Sequence, residues 1–177
     1  MIGNDVVDLL DPESRPETLH PRFDTRVFTA REREAIAASP GEDAARARWK
    51  LWAAKEAAYK LARKRSPASV FSPHRFAVEV DAPERVAGAA ALRVAHEGAR
   101  YRVAFTEGDG ALHAVATAEG EAAREAVSGW RRLALEELER SDPEAPSRAV
   151  RALVCAELAA RLGVRADALE VPRRGRI

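Results

Sequence analysis

Residues 42–65 read EDAARARWKLWAAKEAAYKLARKR, a long run of good helix formers with no Gly or Pro inside it. Pro40-Gly41 stands before the run and Pro67 and Pro73 after it, which predicts one helix from about Glu42 to Arg65. Along it Trp49, Trp52, Ala53, Glu56, Tyr59 and Lys60 recur at helical spacings and share a broad face. Two tryptophans and a tyrosine mark that face as the buried one, and this places Glu56 where a lone carboxylate is expensive. Two compensations are open. Lys60 at i+4 makes an ordinary helix-surface pair, worth about 0.2–0.5 kcal/mol. The other is a metal ion shared with a second carboxylate that arrives from elsewhere.

Working outward toward the N-terminus, Thr29 with Glu32 three residues on reads as a capped helix start, running to about Ala38. The stretch from Asp11 to Asp24 holds three prolines and reads as a loop. Ile2 to Leu10 is an apolar run interrupted by Asp5 and Asp8 and reads as a strand. Asp is depleted inside strands, so Asp5 between Ile2 and Val6-Val7 is a candidate second carboxylate; a side-chain bond to nearby backbone is the alternative. Alternation puts Asp5, Val7 and Leu9 on one face and Val6, Asp8 and Leu10 on the other, so Asp5 and Asp8 do not serve one small site unless the strand bends. Asp8 reads equally as a solvated strand end.

Toward the C-terminus, four β-like runs follow: Phe76 to Val80, Ala91 to Ala95, Tyr101 to Phe105 and Leu112 to Thr117. Gly98 and Gly108-Asp109-Gly110 supply turns between the last three, which predicts an antiparallel meander. The fold class is α+β, with the long helix packed on an antiparallel sheet. Two helices are expected beyond it, Glu121 to Arg140 and Ser147 to Leu162, the second closed by Gly163. Leu169 to Val171 is a candidate further strand. The expected division is residues 1–118 and a helical extension or incomplete second unit over 119–177.

The chain has 177 residues and a formal net charge of +1, which suits one domain or two small ones and argues against general nucleic-acid binding. No apolar run approaches the ~18 residues of a membrane span, and no signal pattern opens the sequence, so a cytoplasmic protein is expected. Cys155 is the only cysteine, which leaves no intrachain disulfide and no cysteine metal site; it reads as a small core residue. His113, alone on a strand, reads as structural. Every lysine, at 50, 55, 60 and 64, falls in the long helix.

Two carboxylates and a row of lysines suit a hard divalent cation and a phosphorylated ligand: magnesium uses one or two protein carboxylates and takes its other ligands from water and substrate phosphates. Lys55, Lys60 and Lys64 then serve as point charges for phosphate oxygens. Ile2-Gly3-Asn4-Asp5-Val6-Val7-Asp8-Leu9 and Trp52-Ala53-Ala54-Lys55-Glu56-Ala57-Ala58-Tyr59-Lys60, with Arg26-Val27-Phe28-Thr29 and Glu32 between them, resemble the motifs of the 4′-phosphopantetheinyl transferases. His113-Ala114-Val115-Ala116 resembles that family's closing strands. The resemblance covers about residues 1 to 118. It implies Asp5 and Glu56 as magnesium ligands, Glu56 and Lys60 as catalytic residues, and Lys55 and Lys60 as contacts to coenzyme A. Asp8 matches an acidic position of single-unit members, while Val7 stands where two-unit members often carry a third acidic ligand.

The implied reaction moves the 4′-phosphopantetheine arm of coenzyme A onto a serine of an acyl or peptidyl carrier protein, as fatty acid, polyketide and nonribosomal peptide synthesis require. The family's Ser-x-Ser-His segment does not occur in these residues. A relative that binds carrier protein or coenzyme A without efficient turnover is therefore the alternative. The order of motifs suggests a unit-swapped member with an incomplete second unit, and so either a homo-oligomer sharing its cleft or weak coenzyme A binding by a monomer.

Overall fold

In the computed structural model, residues 1–81, 84–86, 89–120, 142 and 144–171 are described. The chain forms two compact units, Met1–Ala126 and Val127–Ile177. The first opens with strand β1 (Gly3–Asp8), two 3-10 turns (Pro12–Ser14 and Pro16–Thr18) and three helices, α1 (Phe23–Val27), α2 (Ala30–Ala38) and α3 (Glu42–Arg65). A 3-10 turn at Pro73–Arg75 leads to β2 (Ala77–Val78), β3 (Glu84–Val86), β4 (Ala89–His96), β5 (Ala99–Gly108) and β6 (Ala111–Ala118). The fold is α+β. The strands form one antiparallel sheet in the order β1-β6-β5-β4-β2, with β3 also on β4.

Local chemistry accounts for these elements. The α3 bounds coincide with the run of helix formers. At the start of α2 the Thr29 hydroxyl accepts from the Glu32 amide at 3.3 Å and the Glu32 carboxylate accepts from the Thr29 amide at 2.7 Å, a complete capping box. The meander closes through two two-residue turns, Glu97-Gly98 and Asp109-Gly110, with φ positive at both central positions. β6 then returns the chain beside β1, with Asp5 opposite Ala114.

The sheet-facing side of α3 differs from the aromatic face that spacing suggests. Ala53, Ala54, Ala57, Ala58 and Leu61 are fully buried or nearly so, whereas Trp49, Trp52 and Tyr59 are half-buried on its flank. The flank is closed by ring contacts from Phe23 and Phe71. Small side chains allow β1 to approach the helix closely, and aromatic ones there would hold it off. A Cβ on Gly3 would overlap the Ala57 carbonyl oxygen and lie 2.6 Å from the Leu61 amide nitrogen.

The expected loop from Asp11 to Asp24 contains two proline-started 3-10 turns, and α1 begins within it. Within the run Phe76 to Val80 the strand is Ala77–Val78, continued by one bond from the Glu79 amide to Arg93 O at 2.9 Å, and β3 is a short addition that alternation did not reveal. In the second unit α4 (Ala145–Leu162) ends at Gly163, which adopts the left-handed conformation at φ 65. Cys155 on α4 is half-buried, with its thiol toward Leu169 O at 3.6 Å. Leu169 to Val171 forms no strand; the Leu169 amide instead closes the 3-10 turn at Ala166–Ala168 by donating to Ala166 O at 3.2 Å. The expected helix Glu121 to Arg140 lies outside the described residues. Among the described residues no helix is long and apolar enough to cross a membrane.

Candidate active site

Three predicted residues meet where β1 crosses α3. Gly3, Asp5 and Val7 lie on the face of β1 toward the helix, because alternation sends Asn4 and Val6 outward, where they are exposed. Gly3 brings the strand close enough for Asp5 to reach the helix. The Lys60 ammonium donates to Asp5 Oδ1 at 2.6 Å and stands 3.9 Å from Glu56 Oε2. One cation therefore faces two carboxylates, and the longer distance is an ion pair without a hydrogen bond. The Asp5 and Glu56 side chains retain 12% and 19% of their exposure and Lys60 retains 42%, so the ammonium is the accessible member.

The electrostatics leave a deficit of positive charge. Burial raises the Glu56 carboxyl above its ordinary range, the Asp5 charge raises it further, and Lys60 only partly opposes them. A cation between Asp5 and Glu56 would relieve both effects. Among the described residues no group of three or more His, Cys, Asp and Glu is arranged to hold a metal. Asp5 and Glu56 thus offer two hard oxygen donors, which fits magnesium with its remaining ligands from water and phosphate.

The other candidates lie elsewhere. Asp8 points to the opposite face of β1 from Asp5 and accepts from the Leu10 amide at 2.9 Å. Val7 is core. Lys64 donates to Ile2 O at 2.9 Å and pins the end of α3 to the start of the chain. Lys55, expected beside the phosphates of coenzyme A, is instead fully buried. It pairs with Glu32 at 2.8 Å and donates to Phe76 O at 2.7 Å and Pro73 O at 3.0 Å. Those three acceptors use all three ammonium protons, and none remains for a phosphate. Burial lowers its pKa and the Glu32 carboxylate counters that. Sequence reasoning missed this partner because the capping box already accounted for Glu32. Gly3, which alternation alone leaves without a role, is required by the close approach of β1 to α3.

His113 is 3% exposed and, next to Ala114 in β6, lies on the sheet face away from α3. Burial lowers its pKa below 6.5, and the Asp5 charge opposes the shift only partly. The unfolded chain therefore takes up this proton first. The stability His113 contributes is complete above 6.5 and is lost as pH falls through the lowered folded value. His113→Gln is expected to flatten that acid limb in a series of thermal melts against pH, and an unchanged limb would assign it to other groups.

The family model for the 4′-phosphopantetheinyl transferase superfamily matches residues 1–118. No curated protein matches the chain. Among solved structures it is similar to an apo-ACPS structure from Chronobacterium ammoiniagenes, at 18% identity and a TM-score of 0.46, covering 66% of this chain and 93% of that one.

Proposed function

The chain belongs to the 4′-phosphopantetheinyl transferase superfamily, and from that premise we propose that it moves the 4′-phosphopantetheine arm of coenzyme A onto a serine of an acyl or peptidyl carrier protein, with magnesium. The observation that carries the reading is the convergence of Asp5, Glu56 and Lys60 at one partly exposed point. Residues 1–118 are the proposed catalytic unit, with a neighbouring copy as the proposed source of the rest of the coenzyme A cleft.

In this reading Asp5 and Glu56 would hold the metal, which would supply charge stabilisation to the phosphate oxygens. The serine oxygen forms a bond to the pantetheine-side phosphorus as the bond from that phosphorus to the pyrophosphate bridging oxygen breaks, and adenosine 3′,5′-bisphosphate leaves with the bridging oxygen on its 5′-phosphate. Burial and the Asp5 charge raise the Glu56 carboxyl, and it would hold the metal in its ionised form. Lys60, half-exposed on a flexible stem, contacts the pyrophosphate or assists removal of the serine proton. Lys55 has no part in substrate contact.

The test is incubation with coenzyme A, magnesium and a panel of apo carrier proteins, with intact-mass measurement of each carrier. One carrier should gain the phosphopantetheine mass in a magnesium-dependent way. The second reading, binding without turnover, draws on the missing Ser-x-Ser-His segment. Coenzyme A binding with no mass gain on any carrier would favour it over the first.

A further inference from the structure

We infer that the buried Glu32–Lys55 pair is a positioning device that fixes the direction of Glu56, an inference that rests on the metal reading of Asp5 and Glu56. Both side chains are fully enclosed. Besides the Lys55 ammonium, the Glu32 carboxylate accepts from the Thr29 amide and from the Val78 amide, each at 2.7 Å. Lys55 adds the carbonyls of Pro73 and Phe76. One node thus ties the start of α2, the middle of α3, the Pro73–Arg75 turn and β2. An enclosed ion pair adds little stability over apolar residues of similar volume, so stability alone does not account for it. Direction does, because charge-assisted bonds hold geometry.

Lys55 is the residue before Glu56, about 100° away around the helix. Holding Lys55 on one side sets the rotation of α3 about its axis, and so where Glu56 points. At a side-chain radius of about 6 Å, a rotation of about 20° moves the carboxylate by roughly 2 Å, against a tolerance of about 0.5 Å for a working constellation. On another side the helix is fixed by the contact of Gly3 with Ala57 and Leu61. Glu56 is held between these two constraints opposite Asp5.

The experiment is titration of Mn2+ in the presence of coenzyme A, read by electron paramagnetic resonance, on wild type and three variants. E32Q/K55M removes the pair as a unit; Val94→Ala truncates a fully buried core side chain, with the Tm of every variant measured alongside. The double variant should bind Mn2+ about tenfold more weakly, the lower end for outer partners of metal ligands, while Val94→Ala binds like wild type. Glu32→Asp keeps both charges but is one methylene short of spanning Val78 and Lys55. It should weaken Mn2+ severalfold, and it carries the test if the double variant does not fold. Unchanged affinity in the folded variants, or an equal loss in Val94→Ala, would overturn the inference alone. Wild-type protein that takes up no Mn2+ would overturn the metal reading and the inference with it.

Discussion

Glu56→Gln is expected to lower kcat/KM for carrier modification by about a thousandfold while the protein stays folded. Glutamine keeps the volume and one acceptor but removes the charge and turns an amide N–H₂ toward the cation. Asp5 then remains as the carboxylate facing Lys60, which is already bonded to it at 2.6 Å and satisfies it. Stability should move the other way. The folded Glu56 pKa lies above its ordinary 4.5, so what this group contributes to stability is full below 4.5 and is lost as pH rises through the folded value. At neutral pH without metal the ionised group therefore costs stability, and Glu56→Gln removes that cost. Melts without metal should show the variant at or above wild type, by a margin that grows with pH. Magnesium should raise the Tm of wild type and leave the variant unmoved, because only a species that binds the folded state stabilises it. Normal transfer by Glu56→Gln would eliminate the catalytic assignment.

What was legible before the structure divides along a physical line. The bounds of α3 follow from helix propensity and flanking prolines, which are local, and the two hairpin turns follow from glycines where positive φ is needed. The opposite facing of Asp5 and Asp8 follows from strand alternation alone. The side of α3 that packs on the sheet was misread, since aromatic spacing marks apolar surface but not how closely a neighbour must approach. Here the alanines face β1 because Gly3 comes within contact of the helix backbone. Lys55 was misread for a related reason: its acceptors lie at Glu32, Pro73 and Phe76, and no periodicity within α3 shows a partner on other elements. β3 and α1 escaped because neither is long enough to display a period.

Gly3→Ala tests the approach on which the site depends, and it is expected to cost about 3 kcal/mol. The added methyl would meet the Ala57 carbonyl oxygen, the Leu61 amide nitrogen at 2.6 Å and the Leu61 Cβ at 3.0 Å. All are backbone or the first atom of a side chain, so no flexible end can swing aside. The helix cannot withdraw freely, because Lys55 is bonded to Glu32, Pro73 and Phe76, and Lys64 holds Ile2 O. The strand cannot withdraw without losing its ladder to β6, where Gly3 stands opposite Ala116. Relief must come from shifting β1 as a unit, and Asp5 moves with it. Thermal melts should show a loss on the order of 10 °C, and Mn2+ affinity should fall with it. Asn4→Ala, on the exposed face of the same strand, should change neither. A Gly3→Ala protein with the Tm and Mn2+ affinity of wild type would show that β1 does not seat against Ala57 and Leu61, and the geometry proposed for Asp5 and Glu56 would fall with that contact.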